Sequence, residues 1–203
     1  MIIDSFRDKY LFLSNFSQAR TKYNGLEFKN SEAAFQAQKV LDVEEQLPFT
    51  QMSPKEAKRR GKQVKLRPDW EDVKDGIMEE IVRAKFFQNV NLRSKLLATG
   101  DATLIEGNTW NDRYWGVDAK TGEGQNRLGK ILMKIRSEFQ EEKNRQLEKI
   151  EKDLKMYKDV ADGKEVICPV CGEGTLYENG PYIMCTNNCC PYLVHFCYKL
   201  DQE

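Results

Sequence analysis

The first 167 residues of this 203-residue chain contain neither cysteine nor histidine: all six Cys lie between Cys168 and Cys197, and the sole His is His195. This absence excludes Cys nucleophiles, Ser–His dyads and Cys or His metal sites from most of the chain. Proton transfer there must fall chiefly to Asp, Glu, Lys or Tyr. No apolar run approaches the ~20 residues that a membrane-spanning helix needs, and the opening MIIDSFRDKYLF has no basic segment ahead of an apolar stretch. It does not read as a signal peptide, and the expectation is a cytoplasmic protein with no membrane partner. Net charge is also missing, but the balance hides a split. Residues 141–203 carry 8 basic and 12 acidic side chains, leaving 24 of the 32 basic and 20 of the 32 acidic ones in front. A mildly cationic front part permits an anionic ligand.

What is present reads first as short strands and turns: YLFLSNF, then KYNGLEF, whose Asn24-Gly25 pair marks a hairpin near residues 21–29. Ser31 is placed to cap a helix running to about Val40, with Glu32 in its first turn. Ser53-Pro54-Lys55-Glu56 is a second helix start, ending near Gly61. Asp69 and Asp72 open a longer helix with Trp70, Val73, Ile77, Met78, Ile81, Val82, Lys85 and Phe86 at helical spacing. A short helix follows near 92–98, residues 101–123 read as irregular, and a last helix from Asn126 carries Leu128, Ile131, Leu132, Ile135 and Phe139 on one face. Leu147, Ile150, Leu154 and Tyr157 continue at 3-4-3 spacing through a polar stretch. That seam reads either as a solvated helical linker or as a short coiled coil holding a weak dimer.

Several stretches together resemble the NADAR (YbiA-like) family: FLSNF at 12–16, NSEAAFQAQK at 30–39, RPDWEDVKDGIM at 67–78 and AKFFQN at 84–89. LLATGDATLIE at 96–106, NDRYWG at 111–116 and GQNRLGKILMKIR at 124–136 follow in the family's order and spacing. The resemblance implies an α+β fold, mainly helical with short strands, over residues 1–140. A charged helical linker over 141–163 and a small zinc ribbon over 164–203 complete the expected organisation. It also implies an N-glycosidase. Members resemble enzymes that hydrolyse phosphoribosylamino-pyrimidine intermediates of riboflavin biosynthesis, or that remove ADP-ribose from guanine in DNA. The expected substrate is accordingly an ADP-ribosyl or phosphoribosyl compound, with DNA as a candidate partner. A non-catalytic ADP-ribose or NAD binder is the alternative from another class. The family's essential glutamate falls on Glu32, its tryptophan on Trp70, and its ND-x-YWG motif on Asn111, Asp112, Tyr114, Trp115 and Gly116.

The chemistry suits those residue types. Breaking a ribosyl C–N bond develops oxocarbenium charge, which one carboxylate can stabilise while it or another activates water. Glu32 and Asp112 are the catalytic candidates on this reading. Trp115, in a loop, is a candidate to stack on a base or sugar, whereas Trp70 on an apolar helix face serves stacking or simple packing. Lys39 is a candidate phosphate ligand or counter-charge for Glu32. Asn15 and Phe16 of FLSNF, Gly116, and Asn126 with Arg127 complete the expected substrate-binding set, although Asn15 equally suits a turn. Lys55, Lys58, Arg59, Arg60, Lys62, Lys65 and Arg67 form either a solvated face or a seat for a pyrophosphate or DNA backbone.

The tail carries a metal pattern of its own. Cys168-Pro-Val-Cys171-Gly172 is a knuckle in which two thiolates converge, and Cys185-Thr-Asn-Asn-Cys189-Cys190 supplies a second pair about one hairpin later. It resembles a topoisomerase-type zinc ribbon, which favours Cys190 as the fourth ligand over Cys189, with His195 and Cys197 as more remote alternatives. A four-cysteine zinc site is closed and therefore structural. No cofactor is expected for catalysis.

Overall fold

A computed structural model describes residues 1–195 of the chain, which divides into two compact units, Met1–Gln140 and Glu141–Glu203. In the first unit, β1 (Ile2–Ile3) is followed by a 3-10 helix over Asp8–Leu13, then β2 (Thr21–Tyr23), β3 (Leu26–Phe28) and α1 (Ser31–Ala37). Next come α2 (Val43–Gln46), a 3-10 segment (Leu47–Gln51), α3 (Pro54–Arg60), α4 (Trp70–Gln88) and α5 (Val90–Leu97). Three two-residue strands, β4 (Thr103–Leu104), β5 (Gly107–Asn108) and β6 (Val117–Asp118), precede the long helix α6 (Arg127–Ala161). No described helix is long and apolar enough to cross a membrane.

The turn chemistry produces the hairpin the sequence predicts: Asn24 and Gly25 both take positive φ (46° and 79°), and β2 pairs antiparallel with β3, Tyr23 opposite Leu26. Ser53 and Glu56 form a full capping box at the head of α3. Elsewhere the details shift. YLFLSNF, expected as a strand, is largely 3-10 helix, closed by hydrogen bonds from Tyr10 N–H to the Arg7 carbonyl and from Ser14 N–H to that of Leu11. A continuous apolar run carries no period to separate the two. Asn30, not Ser31, caps α1, its Oδ1 accepting from Ala33 N–H at 2.8 Å. Ser31 is the first helical residue, fully buried, and α1 ends three residues before Val40.

Residues 101–123 hold more order than their composition suggests. β1 pairs parallel with β4, Ile2 opposite Thr103, and β5 parallel with β6, Gly107 opposite Val117, each pairing only two residues long. Strands this short leave no alternating pattern in the sequence. The core is built on α4 and α6, whose Ile77, Met78, Ile81, Val82 and Phe86 meet Leu128, Leu132, Ile135 and Phe139 in one cluster with Phe35 of α1. Lys85 is fully buried among them.

In the second unit the end of α6 meets a three-stranded antiparallel sheet of β7 (Leu176–Asn179), β8 (Tyr182–Cys185) and β9 (Leu193–His195). Val160, Leu176 and Ile183 form a small core with Cys168 and Cys185, and Met156 and Tyr157 pack on it. Of the seam read from the sequence, Leu147, Ile150 and Leu154 are exposed.

Candidate functional site

The apolar face of α1 fixes the first functional side chain. All seven residues of α1 are buried, so Glu32 is carried into the interior and keeps only 7% of its surface exposed. Gln36, one turn on, donates from Nε2 to Glu32 Oε1 at 2.9 Å. The Glu32 N–H donates to the Asn15 carbonyl at 3.1 Å, tying FLSNF to the helix start. Burial raises the Glu32 pKa; the Gln36 hydrogen bond and then Lys58 and Lys39 oppose the rise, while Asp112 adds to it. Gly61 completes the local packing: a Cβ there would stand 1.9 Å from Gln36 Oε1, and its carbonyl accepts from Lys39 Nζ at 3.0 Å. Desolvation lowers the Lys39 pKa, and Glu32 offsets part of that effect.

Glu32 opens into a cavity of about 700 Å³, a size typical of small-molecule sites. Of the residues proposed from the sequence, Glu32, Asp112, Asn15, Phe16, Lys39, Trp70 and Trp115 all line it. Phe35 brings the two indoles together, with ring centroids 5.1 Å from Trp70 and 5.4 Å from Trp115. Trp70 is buried, in keeping with its place on the apolar face of α4. Asp112 is aimed by its own loop: its Oδ1 accepts from Tyr114 N–H at 3.2 Å and Trp115 N–H at 3.0 Å.

Gly116, Asn126 and Arg127 are not among the lining residues. Gly116 lets two strands approach, because a Cβ there would meet the Glu106 carbonyl at 2.2 Å. Asn126 accepts from Glu106 N–H at 3.0 Å and donates to the Leu104 carbonyl at 2.8 Å. Arg127 pairs with Asp75 and lies over the Tyr114 ring, while the Tyr114 hydroxyl also donates to Asp75 at 2.8 Å. These three residues brace the wall that carries Asp112, Tyr114 and Trp115.

Lys58 and Lys62, which belong to the basic run of the sequence, both line the cavity. Lys58 lies 5.7 Å from the Phe16 ring centroid and 5.8 Å from that of Trp110, and Arg7 is 5.9 Å from the latter. Lys74 lies 4.2 Å from the Tyr114 centroid. Aromatic faces thus contact Arg7, Lys58 and Lys74, three of the cations that line the cavity. Glu106 was missed as a site residue. It lines the cavity, and burial and then Asp112 push its pKa up to about 7 against the opposition of Lys58, Arg7 and Lys85. Its motif was visible, but nothing local marks a buried carboxylate between two-residue strands.

In the second unit, the Sγ atoms of Cys168, Cys171, Cys185 and Cys190 all lie within 4.8 Å of one another. Cys168 and Cys190 sulfurs are 3.7 Å apart, and those of Cys171 and Cys185 3.6 Å. Four thiolates around one ion at about 2.3 Å stand roughly 3.8 Å apart, so the cluster fits a tetrahedral metal such as zinc. Backbone N–H groups of Gly174 and Asn187 point at Cys171 and Cys185 Sγ, at 3.4 and 3.3 Å, as donors to thiolates would. Cys189 is exposed and outside the cluster. The His195 side chain and Cys197 lie outside the described residues.

Comparison with known proteins gives this geometry its context. The NADAR domain matches residues 4–140. The chain is 43% identical over 139 residues to the N-glycosidase YbiA of Escherichia coli (strain K12), covering 67% of this chain and 86% of that protein. It is 41% identical over 133 residues to a riboflavin biosynthesis protein of Vibrio vulnificus, covering 64% of this chain and 36% of the relative. The NMR structure of E. coli YbiA superposes with a TM-score of 0.62 at 41% identity, over 70% of this chain and 86% of that one. By sequence and by fold, the chain belongs to the NADAR domain family.

Proposed function

We propose that the first unit is an N-glycosidase that hydrolyses a ribosyl C–N bond. The observation that carries the proposal is a buried carboxylate, Glu32, facing Asp112 inside an aromatic-walled cavity ringed by Lys39, Lys58, Lys62 and Lys74. Aromatic walls suit a base or sugar face, the cations suit phosphates, and carboxylates suit a sugar that becomes cationic as the bond breaks. Relatives called N-glycosidases in E. coli and Nostoc punctiforme support the reaction class. Glu32 takes the proton of the attacking water. Gln36, Lys58 and Lys39 favour its ionised form, while burial makes that form a stronger base. Asp112 faces the developing ribosyl cation.

The substrate proposed is an ADP-ribosyl adduct, with guanine in DNA as the leaving base. The number of cations lining the cavity supports a pyrophosphate. A phosphoribosylamino-pyrimidine is the second reading, favoured by relatives named as riboflavin biosynthesis proteins in Vibrio vulnificus and Arabidopsis thaliana. Zinc is proposed as the structural metal of the tail, and a weak dimer through the exposed Leu147, Ile150 and Leu154 as a second-unit contact. A single experiment separates the substrates: purified protein is incubated with ADP-ribosylated DNA oligonucleotide and, separately, with phosphoribosylamino-pyrimidine, and released base is followed by mass spectrometry. Glu32→Gln should abolish release while thermal unfolding stays that of a folded protein. Turnover retained by that variant sinks the assignment of Glu32. Tight ADP-ribose binding without product from either substrate would leave a binding module instead. Steep loss of binding between about 50 and 200 mM salt would support phosphate contacts by the cations.

A further inference from the structure

Hydrolysis of an N-glycosidic bond needs two proton movements, one off the attacking water and one onto the departing nitrogen. Glu32, with Gln36 donating to it, is equipped for the first. Asp112 is fixed in direction, its Oδ1 accepting from two backbone N–H groups. Glu106 differs from both. Its Oε2 is buried without any hydrogen-bond partner, although its residue lines the cavity. A buried oxygen with no donor gives an anion little support, which is the environment of a carboxylic acid that keeps its proton.

The backbone of Glu106 is also fixed on both sides. Asn126 Oδ1 accepts its N–H at 3.0 Å, and its carbonyl accepts from Val117 N–H at 3.0 Å. Four charged groups face it from the surrounding elements: Asp112 from the 108–116 loop, Lys58 from α3, Arg7 from the N-terminal segment and Lys85 from α4. Asp112 and Lys58 also face Glu32, so the two glutamates share the same pair of charged neighbours.

We propose that Glu106 is a second catalytic residue, the carboxylic acid that protonates the departing nitrogen; the proposal rests on the N-glycosidase reading above. The C–N bond breaks, its electron pair stays on nitrogen, and the Glu106 proton forms the new N–H bond. Water oxygen bonds to the ribosyl carbon and loses a proton to Glu32. Proton return from Glu32 to Glu106 through solvent restores both groups, so the net reaction consumes one water.

The test is the pH dependence of kcat/KM for base release by the full chain, with the substrate that the wild type accepts. The wild-type rate should fall as pH rises above about 7, where Glu106 loses its proton. Glu106→Gln should lose about 10²- to 10⁴-fold in kcat/KM, the usual worth of a general acid, and should lose the alkaline limb as well. Glu106→Asp should be slower but keep that limb, and it carries the test should Glu106→Gln fail to fold. An alkaline limb that persists in folded Glu106→Gln, or that is absent from the wild type or from Glu106→Asp, overturns the proposal. A wild type that releases no base from either substrate overturns the N-glycosidase reading itself. An active wild type with an unaffected Glu106→Gln overturns only the role of Glu106.

Discussion

Asn108 grips Asp112 by its main chain. Its Nδ2 donates to the Asp112 carbonyl at 2.8 Å, and its Oδ1 accepts the Asp112 N–H at 2.9 Å. The same amide donates to the Val117 carbonyl at 3.0 Å, and the residue is almost wholly buried. One side chain thus sets where the loop leaves β5 and where it rejoins β6. The carboxylate of Asp112 then takes its direction from the N–H groups of Tyr114 and Trp115.

Asn108→Ala should therefore act on stability and chemistry together. Leaving buried backbone groups unpaired costs about 1–3 kcal/mol, readable by urea unfolding. The looser Asp112 loop should lower kcat/KM for base release about tenfold or more. Asn108→Asp, which keeps an acceptor but has no amide donor, should restore only part of the loss. An active, fully stable Asn108→Ala would show that the loop keeps its shape without this side chain.

Gly61 offers a sharper separation of the two effects. Its φ is −63°, so alanine meets no backbone obstacle, only the Gln36 side chain, with Oε1 at 1.9 Å, Cδ at 2.8 Å and Cβ at 3.1 Å. The Gln36 amide can swing away at a rotamer cost of about 1 kcal/mol, releasing Glu32, while α1 and the Gly61 turn part by a few tenths of an ångström at the Gln36 Cβ. Gly61→Ala should keep a near-normal melting temperature while kcat falls at least several-fold and KM changes little. A normal kcat would mean that the Gln36 hydrogen bond does not position Glu32.

These residues also mark how far the sequence could be read. The apolar faces of α4 and α6, the Asn24-Gly25 hairpin and the Ser53–Glu56 cap were legible because each rests on a local pattern of spacing or turn chemistry. Glu32, Trp70, Trp115 and Asp112 were legible through motif resemblance, and they do line one cavity. Glu106, Asn108 and the Gly61–Gln36 contact were not. Each depends on strands of two residues, an irregular loop or a single close approach, and no periodicity records such a contact.

Lys85 makes a prediction about stability and pH. It is fully buried, its Nζ donates to the Ser14 carbonyl at 2.9 Å, and desolvation lowers its pKa to about 7, with Glu106 opposing. An unfolded chain holds this proton up to about pH 10.5, so the unfolded state binds more protons between the two values. The stability contribution is fully present above pH 10.5 and is lost as pH falls to about 7. Relative to Lys85→Met, the wild type should gain stability across that window by up to about 1.4 kcal/mol per pH unit. Urea unfolding at several pH values checks it. Parallel pH profiles for the two proteins would place the lysine outside the linkage.

The cysteine cluster gives the last test, because adjacent residues Cys189 and Cys190 are assigned opposite fates. Cys190 Sγ stands 3.7 Å from that of Cys168, inside the group of four, whereas Cys189 is exposed with its N–H donating to Asn187 Oδ1 at 3.1 Å. The wild type and Cys189→Ser should each retain about one zinc per chain by elemental analysis, and Cys190→Ser should lose it. Structural zinc supplies folding energy directly, so Cys190→Ser should also render residues beyond Ala161 sensitive to protease. Base release should change less than threefold, since neither cysteine nor histidine occurs among the first 167 residues and the cavity is lined entirely from within them. Equal zinc in both variants would remove Cys190 from the ligand set, and lost activity on zinc removal would mean that the metal serves more than the folding of its own unit.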